Sequence, residues 1–146
     1  GRGAPVVFTP HPGEMARLLR RKAGAVNEDR PGAAEDFVAE LGGVVLLKGR
    51  RTVIAGDGRL WVNPTGNSGL AKGGTGDALT GLIAGLWAQR VAANPDGADT
   101  GFEAAALGAY LHGYAADEAV RKFTDRCLLA SDVLDALPAA FRKLGA

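Results

Sequence analysis

The residues best suited to chemistry lie in one stretch, NPTGNSGLAKGGTGDALTGLIAGL (63–86). Gly73, Gly74, Thr75 and Gly76 stand just before an apolar, glycine-dotted run that reads as a helix. Glycine there lets the backbone approach a ligand and adopt positive φ. The first NH groups of a helix lack intrahelical partners, and with the helix dipole they attract an anion such as phosphate. Asp77 follows at once. A carboxylate beside a bound anion costs binding energy unless it has a task, and taking a proton from an attacking hydroxyl suits that position. From spacing alone a plainer reading stays open: a helix entry with Thr75 or Asp77 serving the cap. The stretch is neither a Walker loop, since GKS/T is absent, nor a dinucleotide fingerprint, since a turn precedes it where a strand is required.

Other side chains carry weaker signals. For His11, between Pro10 and Pro12, an ordinary loop residue stays open as the plainer reading. Lys48 and Arg50-Arg51 fit a solvated strand end. Lys72 could touch phosphate as a point charge or face water. His112, beside Tyr110 and Tyr114 in a helical stretch, reads as structural, and Trp61 and Trp87 read as core. Cys127 is the single cysteine, so neither an intrachain disulfide nor a thiolate metal cluster can form. Next to an apolar run, it is expected to be a small core residue. No cluster has metal-ligand spacing. Any Mg²⁺ is therefore expected to enter on nucleotide phosphates with few protein ligands.

The 146 residues suit one domain, and a 47% hydrophobic content is enough for a core. Seventeen basic and sixteen acidic residues leave a net charge of +1, which gives no long-range field to draw in nucleic acid or an acidic membrane. No apolar run reaches the roughly 18 residues that span a bilayer, and GRGAPVVFTP has no signal-peptide layout. A reducing cytoplasm fits this cysteine usage. The 22 glycines exceed the usual share of about 7% and cluster in 66–85, which argues for a specialised loop.

The elements that must position these residues follow from hydrophobic pattern and punctuation. PVVFT (5–9) predicts a buried strand. PGEMARLLRRK (12–22) predicts a helix with Met15, Leu18 and Leu19 on one face. Residues 31–41 predict a second helix, closed by Gly42-Gly43. VVLLK (44–48) predicts a central parallel strand, and 51–63 a hairpin across Gly56-Asp57-Gly58. A helix is expected over 76–90 with Leu79, Leu82, Ile83 and Leu86. A turn at 94–99 and two more helices near 100–121 and 131–143 follow, with Ser131 and Asp132 as caps for the last. Strands alternate with helices early and helices dominate later, so the class is α/β with a mostly parallel sheet flanked by helices.

GGTGD followed by a glycine-dotted helix resembles the anion-hole signature of ribokinase-like kinases. The longer string NPTGNSGLAKGGTGDALTGLIAGLWAQ is similar to one branch, the ADP- or ATP-dependent NAD(P)H-hydrate dehydratases. TPHPGE (9–14), YLHGYAAD (110–117) and LLASDVLDALP (128–138) resemble further motifs of that branch, so the matches run from the first strand to the last helix.

The resemblance implies that Asp77 activates the ring hydroxyl of hydrated nicotinamide and that Gly76 contacts nucleotide phosphate. It implies that His11 contacts the hydrated dinucleotide, with Glu14 organising its loop. Lys48, Gly49, Arg50, Arg51 and Thr52 would hold the nucleotide, with Asn67, Gly73, Gly74 and Thr75 lining it. The terminal phosphoryl of ADP (favoured here by the TPHPGE form) or ATP would pass to the hydroxyl oxygen, and phosphate would then leave to regenerate NADH or NADPH. The implied partners are small molecules and further copies of the chain, such as a tetramer. The alternative enzyme is a small-molecule kinase, for a vitamin precursor or a sugar; a non-catalytic nucleotide-binding module is the alternative outside catalysis. A dehydratase domain is longer than this chain, so 1–146 is expected to be the C-terminal part of one such domain. That part alone would expose a sheet edge and is expected to be inactive by itself.

Overall fold

The computed structural model describes residues 4–95 and 101–145. Strand β1 (Val7–Phe8) leads into helices α1 (Pro12–Leu18), α2 (Ala23–Glu28) and α3 (Arg30–Leu41). Strands β2 (Val44–Leu47), β3 (Val53–Gly56) and β4 (Arg59–Val62) follow. After a single 3-10 turn at Ser68–Leu70 come α4 (Thr75–Ala93), α5 (Phe102–Ala119) and α6 (Ala130–Lys143).

The four strands form one sheet in the order β1-β2-β3-β4. Strand β2 is buried at every residue, as its unbroken apolar run predicts. Its alternate side chains serve two cores. Val45 and Leu47 join Met15, Leu19, Val26 and Phe37 from α1–α3, while Val44 and Leu46 join Leu79, Ile83 and Leu86 of α4 and the apolar faces of α5 and α6. The result is a sheet with helices on both faces, the three-layer α/β arrangement.

The expected mostly parallel sheet is corrected here. Of the three described pairings only β1 with β2 is parallel. The reason is two short connections: residues 48–52 between β2 and β3 and the two-residue turn between β3 and β4 are too short for a crossover and return the chain antiparallel. That turn is as expected, with Asp57 and Gly58 both at positive φ (54° and 69°), the geometry of a type I′ turn.

Several boundaries also shift. The helix predicted over 12–22 stops at Leu18, because Arg20 takes a left-handed conformation with φ of 53°. Helical periodicity then no longer governs the next residues: Leu19 turns into the core while Leu18 is 48% exposed. Helix α2 was not foreseen. Helix α3 starts one residue early, capped by Asp29, whose side chain accepts from the Gly32 NH. Ser131 is not a cap, since it lies inside α6; Asp132 reaches back to the Leu129 NH at 2.8 Å. Cys127 is exposed and not core. It sits in a turn closed by its NH to the Thr124 carbonyl, and Leu128 takes the buried position. Of the expected 94–99 turn, 96–99 lie outside the described residues.

Candidate functional site

Helix α4 begins with Gly74 in the left-handed region, φ 85°, a conformation that favours glycine. No side chain caps this end. Thr75, one of the two candidate caps, instead turns its hydroxyl back to the Leu70 and Lys72 carbonyls at 2.7 and 2.8 Å. Lys72 is tied down as well, its ammonium donating to the carbonyls of Arg126 and Leu128. The loop before α4 is therefore held by its own polar groups, while the first NH groups of the helix are left open. An uncapped helix start of this kind can take an anion.

That helix start borders a cavity of about 790 Å³, within the usual size range of small-molecule sites. The segment 48–52 and His11-Pro12 form one wall. The other is formed by Asn63, residues 65–68, Thr75, Gly76 and Leu79, with Ala109, His112 and Gly113 of α5. The structure thus brings together His11, Lys48, Gly49, Arg50, Arg51, Thr52, Asn67, Thr75 and Gly76. Gly73, Gly74 and Asp77 do not line it. Asp77 is exposed in the first turn of α4 and makes no ion pair among the described residues. Thr80, three residues on and so on the same helical face, meets the Thr9 hydroxyl at 3.3 Å. Asp77 therefore occupies the side of α4 that faces the 9–14 segment, while Thr75 and Gly76 face the cavity.

The wall carrying 63–75 is built on a buried polar network. Asn63 is only 4% exposed. Its amide donates to the Ala109 and Thr65 carbonyls, and its oxygen accepts from the Thr65 hydroxyl. Thr65 also donates to the Tyr110 carbonyl at 2.9 Å. One oxygen of Asp117 accepts from the Gly66 NH and the other from the Asn67 amide, each at 2.9 Å. A buried polar group must be paired or it costs stability, so this network fixes the segment against α5. Asn63 and Asp117 lie within the motif strings, yet no task for either follows from the sequence. The signal available was a polar residue inside otherwise apolar surroundings.

His112 is 5% exposed on the cavity wall. Burial lowers its pKa to about 4, opposed in part by a hydrogen bond to the backbone of Thr75. Its Nε2 has no partner among the described residues, and burial keeps the ring neutral. His112 thus sits on α5 beside the first residue of α4, a structural position as its surroundings predict.

The opposite wall is charged and more exposed. His11 caps α1: its Nδ1 accepts from the NH groups of Gly13 and Glu14 at 3.0 and 3.2 Å. Glu14 completes the capping box by accepting from the His11 NH at 2.7 Å. That backbone bond is the main cause holding Glu14 below the usual carboxylate range, against desolvation, with His11 and Lys48 adding to it. Lys48 is fixed to the same loop through its NH to the Pro10 carbonyl at 2.9 Å. Arg30, not foreseen from sequence, donates to the Arg50 carbonyl and latches the 48–52 segment from α3.

Among the described residues no group of three His, Cys, Asp or Glu could hold a metal ion, and no helix is long and apolar enough to cross a membrane.

The NAD(P)H-hydrate dehydratase family matches residues 1–139. The chain is 52% identical over 145 residues to the bifunctional NAD(P)H-hydrate repair enzyme of Moorella thermoacetica, covering 99% of this chain and 26% of that protein. It is 39% identical to the ADP-dependent (S)-NAD(P)H-hydrate dehydratase of Bacillus subtilis, covering 97% and 49%. It therefore spans from a quarter to a half of the length of these relatives. Among solved structures, the ADP/ATP-dependent NAD(P)H-hydrate dehydratase from Bacillus subtilis, co-crystallised with ATP/Mg²⁺ and soaked with CoA, matches with a TM-score of 0.83 at 40% identity. That match covers 98% of this chain and 50% of the other. A ribokinase-like superfamily protein from Enterococcus faecalis matches at 0.72 and 34%, covering 94% and 44%. The fold is thus ribokinase-like.

Proposed function

The chain belongs to the NAD(P)H-hydrate dehydratase family, and from that premise we propose that it forms the C-terminal part of a single dehydratase domain that repairs hydrated NADH or NADPH at the expense of ADP. The observation that carries the proposal is the uncapped start of α4, which opens onto the cavity through Gly76 and carries Asp77 on its other side.

In this reading the cavity takes the nucleotide and the start of α4 takes its terminal phosphate. The hydrated ring lies against the 9–14 segment and Asp77. The Asp77 carboxylate accepts the proton of the ring hydroxyl. The freed oxygen attacks the terminal phosphorus, and the bond from phosphorus to the bridging oxygen breaks, so AMP departs with that electron pair. The phosphorylated ring then loses phosphate with the C–O electrons while the neighbouring carbon gives up its proton, and the double bond returns. Backbone NH groups of residues 74–76 stabilise charge on the phosphoryl in transit. Mg²⁺ would enter with the nucleotide phosphates, since the described residues supply too few carboxylates for a protein-built cage, and would screen phosphate charge.

The test is a turnover assay of the full-length protein, with the rest of the dehydratase domain present, using the (S)-hydrate of NADPH and ADP and followed at the reduced-nicotinamide absorbance. Nucleotide-dependent recovery of NADPH is the expected result. No recovery with either ADP or ATP defeats the proposal, and phosphorylation of an added alcohol in its place would reassign the protein to the small-molecule kinases.

A further inference from the structure

Two lysines border the nucleotide cavity, and they differ. Lys72 spends its ammonium on the carbonyls of Arg126 and Leu128. Lys48 makes no hydrogen bond from Nζ to protein among the described residues. Its nearest charged neighbour is Glu14 Oε2 at 3.9 Å, too long for a hydrogen bond but close enough for attraction. On the other side Nζ approaches Gly76 so closely that a Cβ at that residue would lie 3.4 Å from it. The ammonium therefore sits against the positive end of α4. Two positive groups side by side repel each other, and an anion that touches both relieves that repulsion. Among the described residues Glu14 is the one carboxylate paired with Lys48, and it is itself rigidly placed. It accepts from the His11 NH at 2.7 Å and faces His11 Nε2 at 3.3 Å. Because His11 Nδ1 accepts two backbone NH groups, Nε2 carries the ring hydrogen, on the side of the ring nearer the same carboxylate.

We infer that Glu14 is a positioning residue that holds the Lys48 ammonium at the phosphoryl site beside Gly76 while fixing His11 on the adjoining side, so that one carboxylate sets both subsites. The inference rests on the proposed function for the identity of the anion. No bond to Glu14 forms or breaks in the reaction; it acts through Lys48.

The experiment is a double-mutant cycle on ADP affinity, measured calorimetrically in the full chain. Lys48→Ala is expected to weaken ADP about tenfold and Glu14→Gln about fivefold, and the double variant should match Lys48→Ala within about twofold, the signature of residues acting through one another. Gln keeps an oxygen for the His11 NH, so the cap survives. Should Glu14→Gln loosen α1, Glu14→Asp gives the same reading: its carboxylate stops short of Lys48, so ADP weakens if placement matters and is unchanged if charge alone matters. Equal cost of Glu14→Gln in both backgrounds, or tighter ADP binding by that variant, overturns the inference and leaves the proposed function standing. Coupled affinities in a protein that cannot recover NADPH keep the inference and defeat the function. Absence of ADP binding by the unmodified chain overturns both.

Discussion

The two walls of the cavity are made on different principles. The wall of 63–75 and α5 is tied to the scaffold by hydrogen bonds: Asn63, Thr65, Asp117 and Lys72 spend their polar groups on backbone, on each other or on Asn67, and the buried His112 ring is neutral. The wall of 9–14 and 48–52 is exposed and charged, with side chains of His11, Glu14 and Lys48 between 30% and 52% open to solvent. Buried hydrogen bonds fix shape because breaking them leaves unpaired polar atoms. Exposed charges contribute little to stability and remain available to a ligand. The contrast teaches that shape and chemistry are assigned to different sides of the site, and it predicts opposite phenotypes for variants on the two sides.

The largest effect falls at Asp77, on the exposed side. Asp77→Asn should lower kcat by about 10³-fold, within the usual range for a lost general base, while ADP affinity and melting temperature stay near those of the unmodified chain. An unchanged rate removes the base role. On the buried side, His112 should make stability depend on pH. Its folded pKa of about 4 lies below the ordinary 6.5, so the unfolded chain takes up the proton first. Stability is full above pH 6.5 and declines as pH falls towards 4, by roughly 3 kcal/mol at about 1.4 kcal/mol per pH unit. Denaturant melts of His112→Gln against the unmodified chain should show that slope flattened; a parallel pair of curves breaks the assignment. Asn63→Ala removes the buried amide's bonds to the Ala109 and Thr65 carbonyls and to the Thr65 hydroxyl and should cost about 2 kcal/mol of stability, with kcat per folded molecule nearly kept. A stable but slow variant would erase the distinction between the walls. The smallest effect belongs to Arg30→Ala, which unlatches the exposed 48–52 segment. It should weaken ADP about threefold, equivalent to well under 1 kcal/mol, with no measurable shift in melting.

Much of the fold was legible in the residues. Strand β2, the hairpin turn and helices α3 to α6 were readable because an unbroken apolar run, an Asp-Gly pair and long periodic stretches each have one physical interpretation. Short elements were not: α2 has six residues and the first helix ends at a left-handed arginine, and neither has a pattern long enough to stand out. Burial at single positions was equally obscure. Cys127 beside an apolar run and His112 between tyrosines look alike on paper, yet one is exposed and the other buried, because the packing partner that decides each lies far away in the chain.

The candidate site divides in the same way. Residue types and spacing alone determined that glycines precede a helix and that an acid follows them, since backbone freedom and helix ends are local properties; they left phosphate binding and a plain helix entry side by side. Which charges face each other was decided only by the fold. Glu14, Lys48 and Gly76 are dozens of residues apart and meet because β2 runs parallel to β1, so the segments leaving those two strands lie side by side at one end of the sheet. Electrostatic attraction depends on distance through space, and sequence order does not contain it.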